Sequence, residues 1–151
     1  MIHNQWYGSE LKIRQINFSG KEFLNIRKIR KTVFSDEMRI SESELFDKFD
    51  ETSDHFLFLD QNCVIGSVRL RQIENTVKLE RMAIYTEFRN QNFGYDAIRQ
   101  IIDHYRERKI EKIILDSIYD VKDFYKKCGF TEISQIFDRV GLPHITMELL
   151  F

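Results

Sequence analysis

The spacing of apolar side chains changes abruptly in the middle of the chain. The run "TVKLERMAIY" (residues 76–85) is rich in β-branched and apolar residues and reads as a strand. From Phe93 onward, Phe93, Ala97, Ile98, Ile101, Ile102 and Tyr105 recur at steps of three and four, opposite Asp96, Arg99, Asp103, Arg106 and Glu107. A strand therefore runs through a short polar turn, "TEFRNQN", into an amphipathic helix whose apolar stripe needs a sheet to cover it.

The flanking sequence supplies that sheet. "HFLFLD" and "CVIGSVRLRQI" precede the strand, set off by the turn candidates "DQN" and "EN", and predict consecutive antiparallel strands. Nearer the N-terminus "LKIRQI" alternates as a half-buried strand. "GKEFLNIRKIRKTVF" then places Phe23, Ile26, Ile29 or Arg30, and Val33 at helical spacing. The acidic stretch "SDEMRISESELFDKFDETSD" has no clear period and reads as a helix fragment plus loop. After the central helix, "EKIILDSI" predicts a buried strand, and "DVKDFYKK" a short helix stopped near Cys128 and Gly129. "FTEISQIFD" and "HITMELLF" predict two more strands. Antiparallel strands leading into a βαβ unit define an α/β (α+β) fold, with a mixed central sheet of about six to seven strands flanked by helices. With one proline, six scattered glycines and no repeat, nothing splits residues 1–151 into more than one domain.

Composition narrows the function. A balance of 42% apolar and 31% charged residues is that of a chain with a hydrophobic core. A net charge of −1 gives no global basic field, so neither a nucleic acid nor an anionic membrane is expected as a partner. No run approaches the roughly 18 apolar residues of a membrane span, the N-terminus has no long apolar run, and a cytoplasmic protein is expected. Cys63 and Cys128 stand alone, without metal-ligand spacing, so no metal site is expected. His3 and His104 read as peripheral.

The turn before the central helix carries the strongest chemical hint. A strand feeding a helix through a tight turn aims several main-chain N–H groups and the positive end of the helix dipole at one spot, where a pyrophosphate fits. Glycine eases such a turn, and asparagine is the next most tolerant of a left-handed conformation. Asn90 and Asn92 can thus serve the turn, Gly94 keeps one position free of a Cβ, and Arg89 can add charge-assisted bonds. The plainer alternative is a polar turn followed by a helix-packing glycine.

The segments "LERMAIYTEFRNQNFGYDAI" and "DFYKKCGF", in this order and spacing, resemble the central and following motifs of the GCN5-related N-acetyltransferase (GNAT) superfamily. Its phosphate loop reads roughly Arg/Gln-x-x-Gly-x-Gly/Ala. Arg89, Asn92 and Gly94 hold the first, fourth and sixth places, with Asn92 departing from glycine. "VFSDE", "ELFDKFDETSDH" and "GLPHITMEL" further resemble the small branch called YjcF-like or ElaA-like, and the likeness covers roughly residues 10–151.

This resemblance implies acetyl-CoA as co-substrate, with its pantetheine arm along the main chain of Met82, Ala83 and Ile84. Its pyrophosphate would lie over Arg89, Asn90, Gln91, Asn92, Phe93, Gly94 and Tyr95. The acceptor is implied to be a small-molecule or peptide primary amine, acetylated by direct transfer. An amine with a pKa of about 10.4 must lose a proton before it attacks. Glu80, just before the loop, is nominated as the base, with an ion pair to Arg69, Arg71 or Arg81 as the alternative. Tyr125 matches the family's usual tyrosine and is nominated as the acid for the departing thiolate; a core aromatic is the alternative. Arg27, Arg30, Phe34 and Glu37 fall where acceptor-binding elements lie in such folds, although their charges also read as a solvated face. His55 and His144 match the branch pattern as pocket-border or structural histidines. An acyl-cysteine route through Cys128 has no adjacent Cys–His pairing to support it. The competing expectation is a non-catalytic acyl-CoA-binding or regulatory protein of the same fold; whether the chain forms a homodimer is open.

Overall fold

In a computed structural model, which describes residues 11–151, every predicted strand joins one sheet. His3 lies outside the described residues. Strands β1 (Leu11–Ile16), β2 (Asp54–Asp60), β3 (Cys63–Ile73) and β4 (Thr76–Ile84) are successive antiparallel neighbours. The β2–β3 hairpin turns through Gln61 and Asn62, both at positive φ, as a two-residue turn matching the strand twist requires. Helix α1 (Phe23–Arg30) connects β1 towards β2, and α2 (Phe93–Arg106) leads from β4 to β5 (Lys112–Ile118), which pairs with β4 in parallel. The short α3 (Lys122–Lys127) follows, then β6 (Thr131–Glu132), β7 (Phe137–Arg139) and β8 (Leu142–Leu150).

The sheet order is β1-β2-β3-β4-β5-β8-β6, with β7 also paired to β8. Eight strands therefore replace the expected six to seven, because the run expected as one strand over residues 130–138 is split in two. Between β6 and β7 the Ser134 hydroxyl accepts the Thr146 N–H in place of a main-chain carbonyl, and the backbone leaves the ladder there.

The helices cover opposite faces. Along α2 the predicted stripe is buried at Ala97, Ile98, Ile101, Ile102 and Tyr105, against Phe56, Phe58, Val68 and Leu70 of the sheet. On the other face α1 buries Phe23, Ile26 and Ile29 with Ile16, Leu57 and Ala83. Successive β2 residues point to opposite faces, so Phe56 and Phe58 serve one core and Leu57 the other. Each of these side chains contributes about 1.5–3 kcal/mol by leaving water. Past Arg30 the helix widens into a π-helical turn, Lys31–Glu37, which puts Val33 in the core. Among the described residues no helix is long and apolar enough to cross a membrane.

Candidate active site

Strands β4 and β5 begin paired and then part. Their parallel register runs from Thr76↔Lys112 to Leu79↔Leu115 and stops, although β4 continues to Ile84 and β5 to Ile118. A bulge causes the split. The β3–β4 register shifts between Ser67 and Arg69, and Arg81 sits at φ 55, a left-handed conformation that costs a residue with a Cβ about 1–3 kcal/mol. The Arg81 side chain anchors the bulge, reaching Asp47 at 3.2 Å and the carbonyls of Leu45 and Glu44 at 3.4 Å.

Beyond the bulge the Tyr85 N–H donates to Ile65 O and Ala83 pairs with Ser67. By alternation, the main-chain groups of Met82 and Ile84 face the gap, where an extended ligand could add as a strand. Gly66 makes the close approach on the other side. A Cβ there would lie 2.4 Å from Ala83 O, so only glycine fits without moving β4.

Two cavities flank this stretch, of about 440 and 800 Å³, and both are lined by Met82, Ala83, Ile84, Arg89, Val121 and Tyr125. Into the smaller one opens the start of α2. Asn90 and Asn92 adopt φ 61 and 66, so the asparagines do supply the left-handed turn. No side chain caps the helix, and its first internal bond is Asp96 N–H to Asn92 O at 3.0 Å. The N–H groups of Phe93, Gly94 and Tyr95 are left to meet an anion.

Of the ten positions expected at the cofactor, nine line this smaller cavity. Gln91 does not: it is exposed and donates to Glu87 O at 3.0 Å. Arg89 lines it with its donors already engaged, Nε on Ile84 O at 2.9 Å and both Nη atoms on Glu37. The Arg89 hydrogen bonds hold the Glu37 carboxyl below its usual range. Gly94 has a packing duty as well, since a Cβ there would meet Phe124 Cζ at 3.1 Å and Ile84 Cδ1 at 3.3 Å. Lys127 was missed in the sequence. It lines the cavity beside Tyr95, its Nζ 5.6 Å from the ring, and adds a cation where a phosphate would lie.

Tyr125 stands in the wall common to both cavities. Its ring meets Phe124 and Phe130 edge-on, and its hydroxyl donates only to Met82 Sδ, at 3.7 Å. Burial raises its pKa, so the phenol keeps its proton at neutral pH. The Cys128 thiol is pushed up to about 11 by burial, which leaves it a poor nucleophile.

Glu80 lies on the floor of the larger cavity, its side chain 9% exposed. Oε1 accepts from Arg71 Nη2 at 2.8 Å and Nε at 3.1 Å, and Oε2 accepts from Arg69 Nη2. Burial works to raise its pKa, but the bonds and charges of Arg69 and Arg71 outweigh it and hold the carboxyl low. The ion pair weighed as the alternative is thus present, and the proton affinity of Glu80 is correspondingly weak. Arg69, 1% exposed, also binds Asp47 at 2.6 Å and Asp50 at 3.1 Å.

Arg30 belongs to the same network. It is not part of a solvated face but 1% exposed, bonded to Asp50 at 2.9 Å and to Leu45 O at 3.0 Å. These pairs help the acidic segment fold without a periodic pattern: its Asp47 and Asp50 are fastened to arginines of α1, β3 and β4. The histidines separate. His55 is fully buried, bonded through Nε2 to Asp50 O at 2.7 Å, and structural. His144 lines the larger cavity, its Nδ1–H directed at Leu142 O at 2.8 Å. Among the described residues no cluster of His, Cys, Asp and Glu could hold a metal.

A sheet split beside an uncapped helix start, with two cavities sharing one phenol, leaves room for an extended ligand and a second one beside it. Comparison with known proteins makes the class specific. Residues 18–151 match the family model for the acetyltransferase (GNAT) domain. The chain is 32% identical over 123 residues to the YyaT protein of Bacillus subtilis, covering 80% of this chain and 83% of that one. It is 26% identical over 120 residues to the N-acetyltransferase YjcF of the same organism, covering 79% and 86%.

Solved structures share the fold. Escherichia coli ElaA superposes with a TM-score of 0.80 at 18% identity, covering 92% of this chain and 99% of that one. An acyl-CoA N-acyltransferase from Pseudomonas aeruginosa gives the same four values. Spermidine N-acetyltransferase from Vibrio cholerae, in complex with CoA and spermine, gives 0.72 at 19% identity, covering 94% and 96%. The chain belongs to the GNAT acetyltransferase family, and its class of activity is N-acetyl transfer.

Proposed function

We propose that the protein transfers an acetyl group directly from acetyl-CoA to a primary amine, the donor occupying the smaller cavity and the acceptor the larger. The observation that carries this reading is the Tyr125 phenol in the wall shared by both cavities, both of which Met82 and Ile84 also line. The N–H groups of Phe93, Gly94 and Tyr95, with Lys127, would hold the pyrophosphate, and the pantetheine arm would pair with β4. Arg89 occupies Ile84 O in the free protein, so that pairing requires Arg89 either to yield this carbonyl or to leave pairing to Met82.

In the reaction the amine lone pair attacks the thioester carbonyl, the C–S bond breaks and CoA leaves as a thiol. Tyr125, neutral and pointed at little else, supplies the thiol proton, and the proton that the acylated nitrogen sheds as the amide forms restores the phenol. Glu80 would act through water. Its Oε2 accepts one bond and retains a site for a water that takes the ammonium proton, and its weak basicity confines it to that indirect part. A cytoplasmic location, where acetyl-CoA is at hand, fits this reading.

An amine panel assayed by thiol release, with the product identified by mass spectrometry, tests it. Release that depends on an amine and yields a product heavier by one acetyl group is expected. Acetyl-CoA binding without thiol release across the panel would favour a regulatory acyl-CoA-binding protein instead.

A further inference from the structure

The larger cavity is lined by many charged side chains. Four of its lining carboxylates are committed, three of them to two cations each: Asp47 to Arg69 and Arg81, Glu80 to Arg69 and Arg71, Asp116 to Lys78 and Arg139. Glu37 at the mouth is taken by Arg89. Glu44, the one lining carboxylate with no cationic partner among the described residues, is solvent-exposed. A polyamine threading this cavity would meet no free carboxylate but the exposed Glu44.

The cations, in contrast, outnumber their partners. Arg71 and Lys78 are direct cross-strand partners on β3 and β4, an arrangement of like charges that destabilises a sheet unless an anion lies near. Arg71 spends Nε and Nη2 on Glu80 and lies over the Phe49 ring at 4.1 Å, and its Nη1 has no hydrogen-bond partner among the described residues. Among the described residues Lys78 Nζ has only Asp116, at 3.0 Å, and Arg139 uses only Nη1, on the same Asp116 oxygen at 2.9 Å. Donors from three cations thus remain unspent around two carboxylates, Glu80, which Arg69 also claims, and Asp116, in a half-buried recess where charge is screened less than at an open surface.

We propose that the acceptor is a primary amine that also carries an anionic group, a carboxylate or a phosphate, bound by Arg71, Lys78 and Arg139. This rests on the acetyltransferase reading and deepens it. The anionic end docks at the β3–β5 end of the cavity, and the amine then points along β4 towards the bulge. Arg71 and Arg139 offer planar, paired donors suited to either anion, and Lys78 adds a point charge.

The test uses the full-length protein with saturating acetyl-CoA and three matched comparisons: 4-aminobutanoate against its amide, 2-aminoethyl phosphate against ethanolamine, and spermidine. The expected kcat/KM for at least one anionic member is about tenfold or more above its uncharged partner and above spermidine, the equivalent of one charge-assisted bond. Whichever anionic member leads distinguishes carboxylate from phosphate. Arg139→Gln should raise KM for the anionic amine several-fold, with KM for acetyl-CoA and for the uncharged amine unmoved, a split that a merely structural role would not produce. Equal or better use of spermidine or the uncharged amines overturns the inference while leaving acetyl transfer intact. If no panel member is acetylated, the readout becomes the melting temperature of the CoA-saturated protein. A further rise with 2-aminoethyl phosphate or 4-aminobutanoate, and none with spermidine, supports the proposal, and no rise with either overturns it. If acetyl-CoA itself fails to bind, the acetyltransferase reading fails, and the same melting comparison on the free protein still decides the charge preference.

Discussion

Tyr125 and Glu80 carry opposite electrostatic settings. Burial leaves the Tyr125 phenol protonated with hardly any hydrogen bond to lose, whereas Glu80 is fixed by two guanidiniums. Tyr125→Phe should therefore lower the single-turnover rate by about 10²–10⁴, the span of a positioned acid, with acetyl-CoA affinity almost unchanged. A wild-type single-turnover rate would remove the phenol from the mechanism. Glu80→Gln should reduce turnover most near neutral pH and less at high pH, where the acceptor amine is already neutral. An equal defect at every pH would make Glu80 purely a clamp for Arg69 and Arg71. At this scale the left-handed asparagines were legible, because few other side chains accept that conformation. The partners of Arg89 and Arg30 were not, since a charged residue's neighbours 52 and 20 positions away leave no trace in local spacing.

Among the elements, β4 depends on what lies behind it. Gly66→Ala would place a methyl group 2.4 Å from Ala83 O, a main-chain atom that cannot rotate away. A loss of roughly 1–3 kcal/mol in urea unfolding is expected, the usual range for overpacking, together with weaker acetyl-CoA binding as the gap-facing edge shifts. The acidic segment gives a second, pH-dependent prediction. In Asp47, Asp50 and Glu80 burial would raise the pKa, but their arginine partners prevail and the folded values lie below the unfolded ones. Each group then contributes its stability in full above the unfolded pKa of about 4, and loses it as pH falls through the lower folded value. Acid titration of the melting temperature should show a steep fall below about pH 4, and Asp50→Asn should shrink it. Helix α2 was legible because a single stripe of aliphatic residues admits one period. The segment between α1 and β2 was not, because long-range ion pairs shape it and follow no period.

For the molecule as a whole, the order of antiparallel strands, helix and parallel return was legible from period changes alone, and the family from an ordered series of motifs. The split between β4 and β5 was not. It originates in a positive φ at Arg81, a residue with no intrinsic preference for one, held by contacts to Glu44, Leu45 and Asp47 far along the chain. The two cavities lie on either side of that split. The central claim, that the smaller cavity and the open edge of β4 receive acetyl-CoA, is tested most directly by thermal unfolding with and without this ligand. At about one hundred times its dissociation constant acetyl-CoA should stabilise the native state by about 2.7 kcal/mol. In a chain of this size that is a rise of roughly 5–10 °C. ATP, which has phosphates but no pantetheine arm to pair with Met82 and Ile84, should give a small fraction of that rise. An unchanged melting temperature at saturating acetyl-CoA, or an equal rise with ATP, would contradict the assignment.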